Sequence, residues 1–121
     1  MAARMRLLVV DDAEEIRVTI QAALTKLGHI AELVESAESA LEIFDAGRFD
    51  AIIVDLYLPG MNGDQFARLV KRQDAECPII LLTAYPPART PEGIDEVLVK
   101  PFTTAALHTV LTRVGGNALA N

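Results

Sequence analysis

Several features that would place a chain in other classes of protein are scarce or missing here. Cys77 is the only cysteine, which excludes an internal disulfide, and its apolar neighbours predict a buried, unreactive thiol. No apolar run approaches the roughly 20 residues needed to cross a bilayer. The N-terminal stretch MAARMRLLVVDD has acids directly after its apolar run, so it predicts a first strand rather than a signal peptide.

Basic residues are also too few for a nucleic-acid-binding surface. The chain has 11 Lys and Arg residues against 17 Asp and Glu residues, and its net charge is −6. Binding to the phosphates of a nucleic acid needs clustered positive charge. We therefore expect no direct DNA binding, no membrane contact and a cytoplasmic location.

What the sequence does contain fits one ordinary folded domain. Of the 121 residues, 51% are hydrophobic and 23% are charged, which is typical of a globular protein with a sizeable core. No repeat or linker divides the chain. We predict a single domain over residues 1–121, with its core at about 5–114 and a flexible tail over 115–121.

Short apolar runs alternate with stretches of helical spacing along the chain. The runs predict five strands, at residues 7–10, 30–34, 51–54, 78–82 and 97–99. The helical patterns predict a helix ended by Gly28, a second capped by Ser36 and ending near Gly47, a third after Gly63, and a last one around 107–114. Alternation of this kind indicates a doubly wound parallel sheet of the α/β class.

The strands differ in how completely they are apolar, which predicts their order. The first, third and fourth runs are uninterrupted Val, Ile and Leu, as expected of strands that helices cover on both faces. Glu32 interrupts the second run and the fifth run is short, so these two strands belong at the edges. The order 2-1-3-4-5 meets this condition and keeps right-handed crossovers.

Polar residues end four of these strands at one rim of the sheet. The first strand ends in Asp11 and Asp12, the third in Asp55, the fourth in Thr83 and the fifth in Lys100. A DD pair alone is more often a solvated turn or a helix cap. Three carboxylates from separate strands repel one another, however, and a cation relieves that repulsion. Oxygen ligands without nearby Cys or His suit Mg²⁺ or Mn²⁺, and the hydroxyl and ammonium groups suit a phosphoryl group.

Four short motifs carry a family resemblance. They are VVDD at 9–12, VDLYLPGMNG at 54–63, LLTA at 81–84 and VKPF at 99–102. With these motifs the chain resembles the receiver domain of two-component response regulators from about residue 5 to residue 114. The resemblance implies a flavodoxin-like fold with a five-stranded parallel sheet.

The resemblance also implies roles for the acidic residues. Asp55 would be the phospho-acceptor, which attacks a phosphohistidine of a histidine kinase or histidine phosphotransfer protein and forms an acyl phosphate. Asp12 would bind Mg²⁺ directly, together with Asp55 and the backbone carbonyl of Tyr57. Asp11 would act on the metal mainly through water.

The two remaining polar residues would contact the phosphoryl group. Thr83 would donate a hydrogen bond to one phosphoryl oxygen and Lys100 would pair with another, and the Lys100–Pro101 bond would be cis. The implied protein is a signalling module whose phosphorylation switches its binding to a downstream protein target. It would promote its own phosphorylation and dephosphorylation, and it would not be an enzyme that turns over an external substrate.

Two other functions compete with this interpretation. A Mg²⁺-dependent phosphatase with an aspartate nucleophile can use a similar sheet, but it generally needs a DxD-type motif after the first strand, and Asp11-Asp12-Ala13 is not one. A pseudo-receiver that binds proteins constitutively typically loses its acceptor or the supporting residues. Here the acceptor, its acidic neighbour, the threonine and the lysine are all present.

The stretch between Thr83 and Lys100 departs from the family pattern. Pro86, Pro87 and Pro91 interrupt the place where a helix normally lies between the fourth and fifth strands. We therefore predict mostly loop, with at most one helical turn near residues 91–95. The dimer face that this helix forms in many family members should be absent or remodelled.

Further residues near the motifs have predicted roles. Val97 stands where the family usually has an aromatic residue coupled to the threonine, and a β-branched side chain has little freedom to swing. Tyr57 and Tyr85 are either surface aromatics or rings that shield the acyl phosphate from water. We also expect Asn62 to cap the third helix. The two histidines, His29 and His108, should be solvated.

Overall fold

The computed structural model describes residues 4–119, and it describes side-chain surroundings as far as residue 115. Five strands alternate with four helices, except that no helix separates the last two strands. The elements are β1 (Arg6–Val10), α1 (Glu14–Lys26), β2 (Ile30–Val34), α2 (Ala37–Ile43), β3 (Ala51–Asp55), α3 (Gly63–Gln73), β4 (Ile79–Thr83), β5 (Glu96–Val99) and α4 (Thr104–Leu119).

All neighbouring strands of the sheet are parallel, and their order is β2-β1-β3-β4-β5. The predicted order is therefore confirmed. Every residue of β3 and β4 is buried, whereas no residue of β2 is fully buried. Glu32 in β2 had indicated this difference in burial, because a strand at the sheet edge can present a charged side chain to water.

Side chains of the central strands alternate between two hydrophobic cores. Leu8 of β1 and Ile52 of β3 point to the face that α2 and α3 cover, together with Phe66. Leu7 and Ile53 point to the opposite face, against α1 and α4. Because successive residues of a strand face opposite sides, an uninterrupted apolar strand fills both cores at once.

The second helix is shorter than predicted. It begins after Ser36, whose hydroxyl accepts a hydrogen bond from the Ser39 amide at 3.0 Å, but it ends at Ile43 rather than near Gly47. Phe44 leaves the helix with extended backbone (ψ 127°) and stacks on Phe49 with ring centroids 6.4 Å apart. Burial of both rings ends the helix early, which a local helical pattern does not reveal.

One of the predicted solvated histidines is buried. Gly28 ends α1 as predicted, with a φ of 88°, and the chain then turns directly into β2. His29 lies in this turn with 8% of its surface exposed, and its Nδ1 accepts a hydrogen bond from the Met5 amide at 3.0 Å. The prediction for His29 was wrong because its partner, the Met5 amide just before β1, is far away in sequence. His108 is exposed on α4, as predicted.

The last helix continues beyond the point where the sequence placed the end of the core. It runs to Leu119, through Gly115 and Gly116. A glycine weakens a helix by about 1 kcal/mol relative to alanine, and it commonly ends one by adopting a positive φ. Neither of these glycines has a positive φ. Of the predicted tail, residues 120 and 121 lie outside the described residues.

The segment between β4 and β5 is a loop, which confirms the prediction from its prolines. Residues 84–95 contain no helix. A single turn closes where the Ile94 amide donates to the carbonyl of Pro91 at 3.2 Å, within the stretch where one turn was expected. A face formed by a regular helix at this position is therefore absent from the structure.

Candidate functional site

Three carboxylates meet at the carboxyl rim of the central strands. Asp11 follows β1, Asp12 opens the β1–α1 loop, and Asp55 is the last residue of β3. One carboxylate oxygen of each lies within 4.8 Å of the others. The parallel register of β1 and β3 causes this convergence, because it aligns the ends of the two strands at one rim.

Asp11 is the most deeply buried member of this cluster, with 0% of its surface exposed. Its Oδ1 accepts a hydrogen bond from the Ala13 amide at 2.9 Å, whereas its Oδ2 has no hydrogen-bond partner among the described residues. Burial raises the pKa of this carboxyl above its ordinary value of 3.8, and the nearby charge of Asp55 raises it further. The geometry thus holds a carboxylate where its ionised form is poorly solvated.

Lys100 supplies the positive charge of the site. Its Nζ donates a hydrogen bond to Asp55 Oδ2 at 3.0 Å and lies 3.3 Å from Asp11 Oδ2, too poorly aligned for a hydrogen bond there. Burial alone would lower the pKa of Lys100, but the bond with Asp55 and the charges of both carboxylates outweigh it and raise the pKa above 10.5. The ammonium group is therefore fully protonated at neutral pH.

Asp55 is held from both sides of its carboxylate. Its Oδ1 accepts a hydrogen bond from the Tyr57 amide at 3.2 Å, and its Oδ2 accepts the one from Lys100. Behind it, α3 begins at Gly63, where a Cβ would collide with the main-chain carbonyl oxygen of Asp55. The Gly63 amide donates to the carbonyl of Leu56 at 3.0 Å, so this close approach is fixed by a hydrogen bond.

Asn62 precedes α3 at the predicted capping position. The main-chain amide of Asn62 donates a hydrogen bond to the Gln65 side-chain oxygen at 3.0 Å. The reciprocal arrangement of a capping box satisfies an amide that has no partner within the helix. The start of α3, and with it the close contact to Asp55, is thereby defined.

The hydroxyl of Thr83 faces a local partner. It accepts a hydrogen bond from the Tyr85 amide at 3.1 Å and lies 3.3 Å from the Tyr85 carbonyl oxygen, to which it donates. Its own carbonyl accepts from the Lys100 amide at 2.9 Å, which ties the ends of β4 and β5 together. Thr83 is 1% exposed, so its position at the rim is well defined.

The two tyrosines lie on the surface. Tyr57 is 62% exposed and Tyr85 is 77% exposed. The suggestion that their rings shield an acyl phosphate stays a prediction.

The Lys100–Pro101 bond is cis, as the resemblance implied.

Val97 is partly buried in β5, beside Leu81 of β4, and packs against the core on the α2–α3 side. Of the prolines in the neighbouring loop, Pro86 is exposed, and Pro87 and Pro91 are half-buried. Val97 therefore packs against the core, whereas the three prolines lie at or near the surface.

The donor set fits a hard divalent cation. The three clustered residues offer carboxylate oxygens only, and such ligands suit Mg²⁺ or Mn²⁺ better than softer metals. The Asp11 oxygen that lacks a hydrogen-bond partner is the kind of buried polar atom that a cation or its bound water satisfies. The residues present therefore fit a metal site at this rim.

Two further side chains organise the site and were missed from the sequence. Arg17 Nη1 donates to the carbonyl oxygen of Asp11 at 2.8 Å, and Glu38 Oε2 accepts from the Met61 amide at 3.3 Å in the β3–α3 loop. Neither residue belongs to a motif. The first lies on the helix that follows Asp12, which is the only sequence signal that could have suggested it.

One cavity of the protein lies outside this site. It has a volume of about 600 Å³ and lies at the opposite rim of the sheet, where Lys71, Asp74, Asp95 and Arg113 are among its lining residues. None of the clustered carboxylates, Thr83 or Lys100 contributes to it.

Among the described residues, no helix is both long and apolar enough to span a bilayer.

A parallel sheet in this strand order, with an acidic cluster, a threonine and a lysine at its carboxyl rim, defines a phosphoryl-accepting signalling domain. Comparison with known families agrees with this class. The model of the response regulator receiver domain matches residues 7–112. The chain therefore belongs to the response regulator receiver family, whose general function is phosphorylation at an aspartate beside a magnesium site.

Comparison with individual proteins also finds response regulators and receiver domains. The chain is 33% identical to the transcriptional regulatory protein TcrA of Mycobacterium tuberculosis over 81% of this chain and 41% of that protein. It is 32% identical to the receiver domain of the sensor histidine kinase PA1611 from Pseudomonas aeruginosa, a structure with a magnesium ion in the active site cleft. That similarity covers 94% of this chain and 99% of the other, with a TM-score of 0.85.

A third relative is the response regulator TrrA of Thermotoga maritima, solved in complex with Mg²⁺ and BeF. The two proteins are 33% identical. Their similarity covers 90% of this chain and 97% of TrrA, with a TM-score of 0.83. The chain spans less than half the length of the curated relatives it matches, such as TcrA. The similarity thus concerns the receiver domain of those longer proteins.

Proposed function

We propose that Asp55 of this chain accepts a phosphoryl group from the phosphohistidine of a histidine kinase or a histidine phosphotransfer protein. The observation that carries the proposal is the position of Asp55 beside both Lys100 and the Asp11–Asp12 pair. One of its oxygens contacts the ammonium group at 3.0 Å, and the acidic cluster lies within 4.8 Å. This arrangement places a nucleophile beside the positive charge of Lys100 and beside carboxylates that would hold a cation.

The transfer is a displacement at phosphorus. A carboxylate oxygen of Asp55 forms the new O–P bond, the P–N bond of the phosphohistidine breaks, and its electron pair returns to the imidazole nitrogen. Lys100 neutralises charge on a phosphoryl oxygen, because its ammonium group already lies beside the acceptor. Thr83 donates to another phosphoryl oxygen by giving up its hydrogen bond to the Tyr85 carbonyl.

The acidic cluster would hold Mg²⁺, or Mn²⁺ in its place. Asp12 and Asp55 would be direct ligands together with the backbone carbonyl of Tyr57, and Asp11 would act mainly through water. When bound, such an ion supplies positive charge that stabilises phosphoryl oxygens. The buried Asp11 oxygen without a hydrogen-bond partner supports this assignment.

The chain would act as a single receiver domain over its 121 residues. It would turn over no external substrate and would promote only its own phosphorylation and dephosphorylation. Phosphorylation would change its binding to a downstream protein target, in the cytoplasm and without direct DNA binding by this domain. The acidic net charge of −6 supports the last point.

The test is a phosphorylation assay with a small donor. The protein is incubated with acetyl phosphate and Mg²⁺, and its intact mass is measured over time. We expect the mass of one phosphoryl group to be added to the wild type and none to Asp55→Asn. Equal modification of the two proteins, or no modification of the wild type with or without Mg²⁺, would overturn the assignment of Asp55.

A further inference from the structure

The main-chain carbonyl between the two adjacent aspartates has a dedicated partner. The guanidinium of Arg17, in the first turns of α1, donates from Nη1 to the carbonyl oxygen of Asp11 at 2.8 Å. The side chain reaches back over the β1–α1 loop and is half-buried there. Among the described residues, this is the only hydrogen bond that the Arg17 side chain makes.

That peptide group determines where Asp12 can lie. The carbonyl of Asp11 and the amide of Asp12 share one rigid plane, so an anchor on the carbonyl also orients the next residue. Asp11 is additionally fixed by its amide, which donates to the Val34 carbonyl at 3.1 Å, and by its Oδ1. Asp12 is exposed, and its side chain makes no hydrogen bond to another described residue. Its carboxylate thus depends on the preceding peptide for its direction.

We propose that Arg17 is a positioning residue, which orients the Asp11–Asp12 peptide so that Asp12 faces Asp55 across the cation site. This inference rests on the proposed function, since it assumes that the acidic cluster holds Mg²⁺. Arg17 does not touch the metal or the phosphoryl group. It acts only through the carbonyl of Asp11.

The charge and the hydrogen bond of Arg17 have opposite effects on Mg²⁺ binding. A positive charge near the three carboxylates repels a divalent cation, so removal of the charge alone would tighten binding. Loss of the hydrogen bond releases the peptide and weakens binding, because supporting residues around a metal site typically contribute about tenfold or more to its affinity. The sign of the change therefore distinguishes positioning from electrostatics.

The test measures the dissociation constant for Mg²⁺ by isothermal titration calorimetry in about 0.15 M KCl, which screens distant charges. Arg17→Met and Arg17→Gln both remove the charge and the reach of the guanidinium, and we expect each to bind Mg²⁺ about tenfold more weakly. Arg17→Lys restores a charged donor and should lie within a few-fold of the wild type. Either neutral variant suffices if the other does not fold, as checked by urea denaturation without Mg²⁺.

Arg113→Met is the matched control, because it removes the same charge at the opposite rim, where Arg113 pairs with Glu96 at 3.3 Å. Its change in affinity reports the effect of lowering the net positive charge at a distance from the site, and we expect it to be small. A folded neutral Arg17 variant that binds Mg²⁺ as tightly as the wild type, or more tightly, overturns the proposal. If the wild type itself binds no Mg²⁺, the metal assignment fails first, and with it the role of Arg17.

Discussion

Replacement of Asp11 by asparagine removes a buried negative charge, and we expect it to stabilise the protein in solutions without divalent cations. Asp11 is 0% exposed, and one of its oxygens has no hydrogen-bond partner among the described residues. The asparagine side chain would keep an oxygen that can accept from the Ala13 amide. Lys100 would not be left unpaired, since it keeps its bond to Asp55 at 3.0 Å.

The size of the effect follows from two opposing contributions. An ionised group that is buried without its full set of hydrogen bonds is destabilising by about 1–3 kcal/mol. Loss of the contact with Lys100, at 3.3 Å and poorly aligned, offsets a small part of the gain. We expect the free energy of unfolding to rise by about 1–2 kcal/mol, and Tm to rise on the order of 4 °C for each kcal/mol.

The measurement is urea unfolding followed by circular dichroism in buffer that contains EDTA at neutral pH. Asp45→Asn is the control, because it removes one charge from an exposed position and reports the effect of net charge alone. Excess Mg²⁺ should reverse the order. The wild type should gain about 2.7 kcal/mol when Mg²⁺ is at 100 times its dissociation constant, and Asp11→Asn should gain less.

The pH dependence of this difference has a defined sign. Because burial raises the pKa of Asp11 in the folded state above 3.8, ionisation of this carboxyl destabilises the fold as the pH rises through that raised value. The advantage of Asp11→Asn should therefore grow as the pH rises through that raised pKa and should disappear below pH 3.8. An asparagine variant that is less stable than the wild type at neutral pH in EDTA would refute the reasoning.

Two further predictions concern a glycine beside the acceptor and the buried histidine. Gly63→Ala should lower the free energy of unfolding by about 1–3 kcal/mol and slow the phosphorylation of Asp55, because its Cβ meets a main-chain oxygen that cannot move aside. Unchanged urea midpoints and rates would contradict this contact. Burial, with a smaller effect from His108, lowers the pKa of His29 below 6.5, so the unfolded state takes up the proton first as the pH falls. Stability should be lost below pH 6.5 in the wild type, and His29→Gln, unlike His108→Gln, should remove most of that loss; equal pH profiles between about pH 5 and pH 8 would show that His29 is not responsible.

The strand order was predictable because burial leaves a direct trace in sequence. The middle of a strand that is covered on both faces rarely holds a charge, so Glu32 in the middle of β2 distinguished this edge strand from the central strands, which carry charged residues only at their ends. Helix ends were less predictable. The end of α2 depends on Phe44 and Phe49, whose rings stack across a turn, and no helical pattern encodes that contact.

The composition of the site was predictable for a related reason. Parallel strands bring their carboxyl ends to one rim, so the residues at these strand ends suffice to identify a cluster before its geometry is known. The hydrogen bonds were not predictable in the same way. Long side chains such as Arg17 and Glu38 reach main-chain atoms of other segments, and many such pairings are compatible with one sequence. The burial of His29 belongs to the same class, since its partner is the amide of Met5.

The loop between β4 and β5 shows how the fold manages without a helix at this position. Asp95 accepts hydrogen bonds from the Ile79 amide at 2.8 Å and from Lys71 at 2.9 Å, and its own amide donates to the Ile79 carbonyl at 2.8 Å. These bonds fix the end of the loop to α3 and β4, and Ile94 fills the core beside them.

The beginning of the same loop is attached differently. Residues 84–90 are exposed except for half-buried Pro87, and the side-chain hydrogen bonds that hold them are those between the Thr83 hydroxyl and the backbone of Tyr85. Prolines at 86 and 87 prevent this segment from joining a helical hydrogen-bond ladder. A rigid helix that moves as one body is therefore not available to report the state of Thr83. Any displacement of its hydroxyl acts first on the Tyr85 peptide, while Asp95 keeps the other end of the loop in place.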